Sequence, residues 1–224
     1  MTRRGYAYLA VLACAAVLWL PALGQASSGG GGMSGNGGSS GTATTSAQPA
    51  NSPVSASGNG VTITTRAGAL LRNGLQFTGN APSSDAGKLI EIERFGAKTG
   101  WTWQPTAQAR VGSDGSFAAV WRTNHIGRFS IRAVIQQPGG TAASASGGWP
   151  AVTVIVYRPS IATLYGPGFW GQKTACGVTL RRNTIGVANR TLPCGTPVAI
   201  EYNGQTITVP VIDRGPYANG ADWD

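Results

Sequence analysis

Thr206-Ile207-Thr208-Val209-Pro210-Val211-Ile212-Asp213-Arg214-Gly215-Pro216-Tyr217 is the stretch on which the reading of this chain turns. Its β-branched residues predict a strand. The strand runs directly into Asp213-Arg214, and Gly215-Pro216 ends it. Upstream lie Val198 to Tyr202, the turn Arg190-Thr191-Leu192-Pro193-Cys194-Gly195-Thr196, and Thr174-Ala175-Cys176-Gly177. Ile161 to Gly166 reads as a further strand. Gly166-Pro167-Gly168-Phe169-Trp170-Gly171 matches G-x-G-x-x-G in letters only. Pro167 lies inside it, no helical pattern follows, and no βαβ unit surrounds it, so a dinucleotide site is excluded. These glycines are read as a loop presenting Tyr165, Phe169 and Trp170. Such rings suit the apolar faces of sugars, and they suit the covering of a core equally.

At the other end, Arg3 and Arg4 precede an apolar run from Tyr6 to Leu20, then Pro21 and the small residues around Gly24 and Ala26. This is the order of a secretory signal over residues 1–26. The run is too short to span a bilayer, so no transmembrane span is expected after cleavage. Cys14 would leave with the leader. Cys176 and Cys194 would then be the remaining pair, and in an exported protein such a pair is expected to form a disulfide. Two thiols lack the further ligands that zinc needs, and His125 is far away in sequence, so no metal is expected. Residues 27–60 contain 19 Gly or Ser in 34 positions and no charge. That composition predicts a flexible linker.

From Val61 the pattern changes to short alternating runs. Val61 to Thr65, Lys88 to Phe95, Ser116 to Arg122, Arg128 to Gln136 and Ala151 to Arg158 are read as strands. Ile90 and Ile92 take one face, Glu91 and Glu93 the other. Strands at this spacing between Gly, Pro and Asn turns predict an Ig-like β-sandwich over 61–158. Trp101, Trp103 and Trp121 are expected in its core, and His125 in a loop. Only 11% of residues are charged, with 17 bases against 8 acids. Glycine reaches 34 of 224 residues without a three-residue period, which excludes helical bundles and collagen. Most of the positive charge lies in the sandwich. Anionic wall polymers are a candidate partner for it, the alternative being a solvated basic face. Nothing in the sequence matches a nucleic-acid recognition motif.

The constellation from 161 to 224 resembles the double-psi β-barrel of the rare-lipoprotein-A family, which is related in fold to expansins and to some lytic transglycosylases. The resemblance rests on Tyr165-Gly166-Pro167-Gly168, on Thr191-Leu192-Pro193-Cys194-Gly195-Thr196, and on the strand entering Asp213-Arg214-Gly215-Pro216-Tyr217. It implies an all-β protein, a sandwich followed by an incomplete double-psi β-barrel over 159–224, with about four of six barrel strands supplied. It also implies a secreted, cell-wall-associated protein that acts on peptidoglycan glycan strands. The reaction would leave a 1,6-anhydro end and require no cofactor, because one carboxylate can protonate the leaving oxygen and then deprotonate the sugar's own hydroxyl. A hydrolase would need two carboxylates at a set separation.

The resemblance places the acid at Asp224, with Asp213 assisting. Asp213 also has a structural reading, in which its carboxylate satisfies loop amides or pairs with Arg214. Tyr165, Trp170, Asn189, Arg214, Tyr217 and Trp223 are the residues expected to touch substrate. Tyr217 and Trp223 are read equally as core. The family's enzymes carry Glu, Asp and His where Val178, Arg181 and Asn189 stand here. A non-catalytic, glycan-binding or wall-loosening module is therefore the second reading.

Overall fold

The computed structural model describes residues 6–11, 49–136, 148–217 and 220–224. Thirteen strands are assigned among them: β1 (Tyr6–Val11), β2 (Pro53–Gly58), β3 (Val61–Arg66), β4 (Gly68–Leu70), β5 (Gly74–Asn80), β6 (Leu89–Phe95), β7 (Gln104–Arg110), β8 (Ser116–Arg122), β9 (Gly127–Ile135), β10 (Ala151–Ile161), β11 (Val187–Ala188), β12 (Pro197–Tyr202) and β13 (Gln205–Asp213). The described structure is all-β, a β-sandwich followed by a partial barrel. One sheet runs β2-β3-β5-β8. The other runs β11-β13-β12-β1-β10-β9-β6-β7, with β4 added in parallel on β10.

Period-two patterning builds the sandwich. Val61 and Ile63 of β3, Leu75 and Phe77 of β5, and Phe117 and Trp121 of β8 point inward. They meet Ile90, Ile92, Phe129, Ile131, Val152 and Val154 of the facing sheet in one core. Gly79 marks the tightest approach. A Cβ there would lie 1.9 Å from the Thr62 carbonyl oxygen and 2.4 Å from the Phe117 ring, so no other residue fits without moving the sheet.

Several expectations need correcting. The Gly/Ser stretch does not stay irregular to residue 60: Pro53–Gly58 is a strand, paired along its whole length with β3. Its alternating Ser side chains are as compatible with a half-exposed edge strand as with a linker. Residues 27–48 of that stretch lie outside the described residues. Glu91 and Glu93 do face away from the core, but both faces of β6 are covered, leaving them only 7% and 5% exposed. Gln108 and Gln136 donate to Glu91, and Arg132 pairs with Glu93. Trp121 is a core residue, whereas Trp101 lies in a turn with half its surface in solvent.

The expected boundary at 158 falls within one continuous strand. Ala151 to Val156 of β10 pairs with β9, and Arg158 to Ile161 pairs with β1, which in turn pairs with β12. Of the expected leader, Tyr6–Val11 runs as this strand, and the remainder, including Cys14, lies outside the described residues.

In the partial barrel, β12 and β13 form a hairpin through Asn203-Gly204, with Asn203 at φ 51° and Gly204 at φ 77°. β11 adds in parallel to β13, and Ala162 bridges in parallel to Trp223. Val187, Val198, Val209, Val211 and Trp223 form the barrel's own core, flanked by Leu192 and Ile200.

Candidate active site

Two aspartates stand on adjoining segments of the partial barrel. Asp213 is the last residue of β13, and β11 lies beside it. Successive backbone amides of the β11 segment bind both aspartates: Ala188 N–H donates to the Asp224 carbonyl at 2.7 Å, and Asn189 N–H to the Asp213 carbonyl at 3.1 Å. The carboxylates thus belong to chain segments held on the same short strand. Both side chains are partly exposed.

The Asp213 carboxylate is fully engaged. The Tyr165 hydroxyl donates to Oδ2 at 2.6 Å, and the amides of Ala175 and Arg214 donate to Oδ1 at 2.7 and 2.8 Å. Partial burial alone would raise its pKa. The Tyr165 hydroxyl, the two amides and the Arg214 charge outweigh this and hold the carboxyl below its ordinary value. Asp213 is therefore an ionised acceptor that ties three loops together. The Tyr165 phenol is pushed upward by burial first, then by its bond to Asp213, then by the charges of Asp213 and Asp224. Tyr165 stays protonated and donates to Asp213.

Asp224 differs in kind. Its Oδ1 is shielded from solvent and has no hydrogen-bond partner among the described residues. Each Asp213 carboxylate oxygen already accepts a hydrogen bond, whereas the buried Oδ1 of Asp224 accepts none among the described residues.

A brace surrounds the pair. Cys176 and Cys194 form the expected disulfide, with Cα atoms 5.8 Å apart. The bridge starts one residue after Ala175, whose amide holds Asp213. Arg214 reaches back across the other side, donating from Nη1 to the Leu192 carbonyl at 2.8 Å and from Nη2 to the Cys194 sulfur at 3.3 Å. Asn189 Oδ1 accepts the amides of Thr191 and Leu192 and caps that turn. Arg190 donates to the carbonyls of Pro216 and Ala221, and so links the segment after Asp213 to the segment before Asp224.

These contacts revise the expected substrate-binding set. Trp223 is 2% exposed within the barrel core and offers no face to a ligand; the strand-like pairing of its neighbours turns it inward. Asn189 Oδ1 is spent on the turn amides, and Arg214 is spent on the Leu192 carbonyl and the Cys194 sulfur. Tyr217 is 79% exposed, and Trp170 is half-buried. Tyr165 packs edge-on against Phe169 at 5.3 Å, and Phe169 itself is largely exposed. Val178 and Arg181 are exposed and contribute no acid.

Sequence reading passed over Asp222 and Arg190. Asp222 pairs with Arg158 at 3.0 Å and accepts the Ile161 amide, anchoring the Asp224 segment to β10. Its spacing of two from Asp224 was the available signal. Among the described residues, no group of three His, Cys, Asp or Glu side chains is placed to hold a metal ion. A cavity of about 280 Å³ at the seam with the sandwich, lined by Arg66, Tyr157 and Glu201, contains neither aspartate.

No protein-family model matches the chain, but curated relatives do. It is 43% identical over 72 residues to the probable endolytic peptidoglycan transglycosylase RlpA of Synechocystis, covering 31% of this chain and 22% of that relative. It is 44% identical over 61 residues to the endolytic peptidoglycan transglycosylase RlpA of Campylobacter jejuni, covering 26% and 22%. It is 39% identical over 70 residues to the probable endolytic peptidoglycan transglycosylase RlpA of Aquifex aeolicus, covering 30% and 31%. The matches span less than a third of the length of these curated relatives.

Proposed function

Because the chain is RlpA-like over about 31% of its length, we propose that it is an exported protein acting on peptidoglycan glycan strands as a lytic transglycosylase. The observation that carries this reading is the unequal pair on adjoining segments: Asp213 with both carboxylate oxygens engaged, and the partly exposed Asp224, whose shielded Oδ1 has no partner among the described residues. In this mechanism protonated Asp224 gives its proton to the glycosidic oxygen as the bond to the anomeric carbon breaks. The resulting Asp224 carboxylate then takes the proton from the C6 hydroxyl of the same sugar. The C6 oxygen closes on the anomeric carbon and forms the 1,6-anhydro ring, so no water is consumed. Asp213 stays ionised throughout. It positions Tyr165, and its negative charge lies where positive charge develops on the sugar. Exposed Tyr217 supplies a flat face for a neighbouring ring.

The leader at 1–26 supports export and a wall-associated location. Anionic wall polymers remain a proposed partner for the basic sandwich.

A second reading has its own observation. Val178, Arg181 and Asn189 provide no acid or imidazole where the family's enzymes carry Glu, Asp and His, and this favours a glycan-binding module without catalysis. One experiment separates the two. The protein is incubated with peptide-free glycan strands and the products are analysed by mass spectrometry. Anhydro-ended fragments are expected, and Asp224→Asn should reduce them by about 10²-fold or more. Product formation unchanged in Asp224→Asn refutes the assignment of the acid, and saturable binding without product establishes the second reading.

A further inference from the structure

We propose that the sandwich carries its own glycan-binding platform, built on Trp101 and separate from the aspartate site. Trp101 is 50% exposed, whereas Phe77, Phe117, Trp121 and Phe129 of this domain are drawn into its core. Its backbone is left-handed, at φ 59°, directly after Gly100 at φ 62°. Glycine and asparagine suit such a position, whereas a bulky side chain is strained there. The chain therefore bears a local cost to hold an indole half in water, and core packing does not account for it. Strain of this kind is found where a side chain must be presented.

The presentation is rigid. Thr99 Oγ1 donates to the Thr102 carbonyl at 2.7 Å and also accepts the Gly96 amide, while Trp101 N–H donates to the Gly96 carbonyl at 3.0 Å. The indole stands edge-on to Phe95 at 5.6 Å, and Phe95 contacts Trp103 at 5.2 Å. The Arg132 guanidinium covers Trp103 at 4.3 Å and is itself paired with buried Glu93. The aromatic surface is thus fixed from beneath by a neutralised ion pair.

That chemistry selects the ligand. A pyranose ring has an apolar C–H face that fits an indole and an equatorial rim of hydroxyls that needs amide partners. Gln104 of β7 is exposed three residues beyond Trp101, donating to the Thr99 carbonyl at 3.4 Å, and Lys98 is exposed in the same turn as the indole. A rigid indole with an amide and an ammonium at its edge suits a pyranose, whose hydroxyls can bond to both. The polymer assigned to the barrel, a peptidoglycan glycan strand, is the proposed occupant. Only that identity rests on the proposed function. A second contact would raise the local concentration of strand at the aspartates.

The test uses the full chain and insoluble peptidoglycan stripped of anionic polymers, with binding measured by co-sedimentation and, for N-acetylglucosamine oligomers, by tryptophan fluorescence. Trp101→Ala should weaken binding about tenfold, the loss of one stacked ring, and Trp101→Tyr should retain most of it. Trp101→Gly should weaken binding equally and melt no lower than the native protein, because glycine relieves the strain. Cleavage of short soluble strands should persist in all three. The Trp101→Ala loss of binding should recur at the same size when measured in an Asp224→Asn background, so failure of the catalytic reading leaves this result intact. Undiminished binding by Trp101→Ala, or retention only through a wall protein, overturns the proposal.

Discussion

Asp213 and Asp224 have the same side chain and opposite circumstances. The three donors on Asp213 favour its charged form, so its folded-state pKa lies below its unfolded value. The sign of the linkage follows. This group contributes stability in full above the unfolded carboxyl value near ~3.9, and the contribution is lost as pH falls through the lowered folded value. Asp213→Asn should therefore cost about 1–3 kcal/mol at neutral pH and flatten the acid limb of the stability curve below pH ~4. Urea denaturation across a pH series measures both. An acid limb as steep as that of the native protein would contradict the anchoring role. Much of this was invisible in sequence. Asp-Arg-Gly-Pro marks the position of Asp213, but its partners Tyr165 and Ala175 are 48 and 38 residues away.

At the scale of elements, the rim is held by a disulfide and two arginines rather than by regular strands. Thr174 to Gly186 contains no strand longer than an isolated bridge. Its order depends on Cys176–Cys194 and on the Asp213 carboxylate. The bridge closes a loop with a sequence separation of 18, which corresponds to about 3 kcal/mol in the chain-entropy model. Replacing both cysteines with serine should lower stability by about that amount in denaturant titration, and neither native thiol should react with an alkylating agent. Free thiols in the exported protein would refute the bridge. The aromatic turn after β6 illustrates how an element can mislead: Trp101 and Trp103 alternate as strand residues would, but two left-handed residues in a row turn Trp101 outward.

Across the whole molecule, a single strand carries the connection. β10 pairs within the sandwich over its first half, and at its far end Arg158 and the Ile161 amide bind Asp222, a link to the Asp224 segment that does not involve residues 6–11. The aspartate rim is thereby fixed to a sandwich with a continuous apolar core. Phe77 is fully buried in that core. Phe77→Ala should cost about 3–5 kcal/mol in urea denaturation. A loss under 1 kcal/mol would show that the core collapses around the gap or that Phe77 is not packed as described.

Sequence alone determined the all-β class, most sandwich strands, the disulfide partners and the two aspartates, because period-two alternation, turn residues and motif spacing are local signals. Tertiary structure decided which aspartate has its oxygens engaged and which keeps one unpartnered, that Trp223 is buried while Trp101 is exposed, and that Pro53–Gly58 is a strand. Each of these depends on what the other side of a sheet or loop supplies. Hydrogen-bond saturation and burial are properties of neighbours brought together from distant parts of the chain, and a linear pattern records only one side of such a contact.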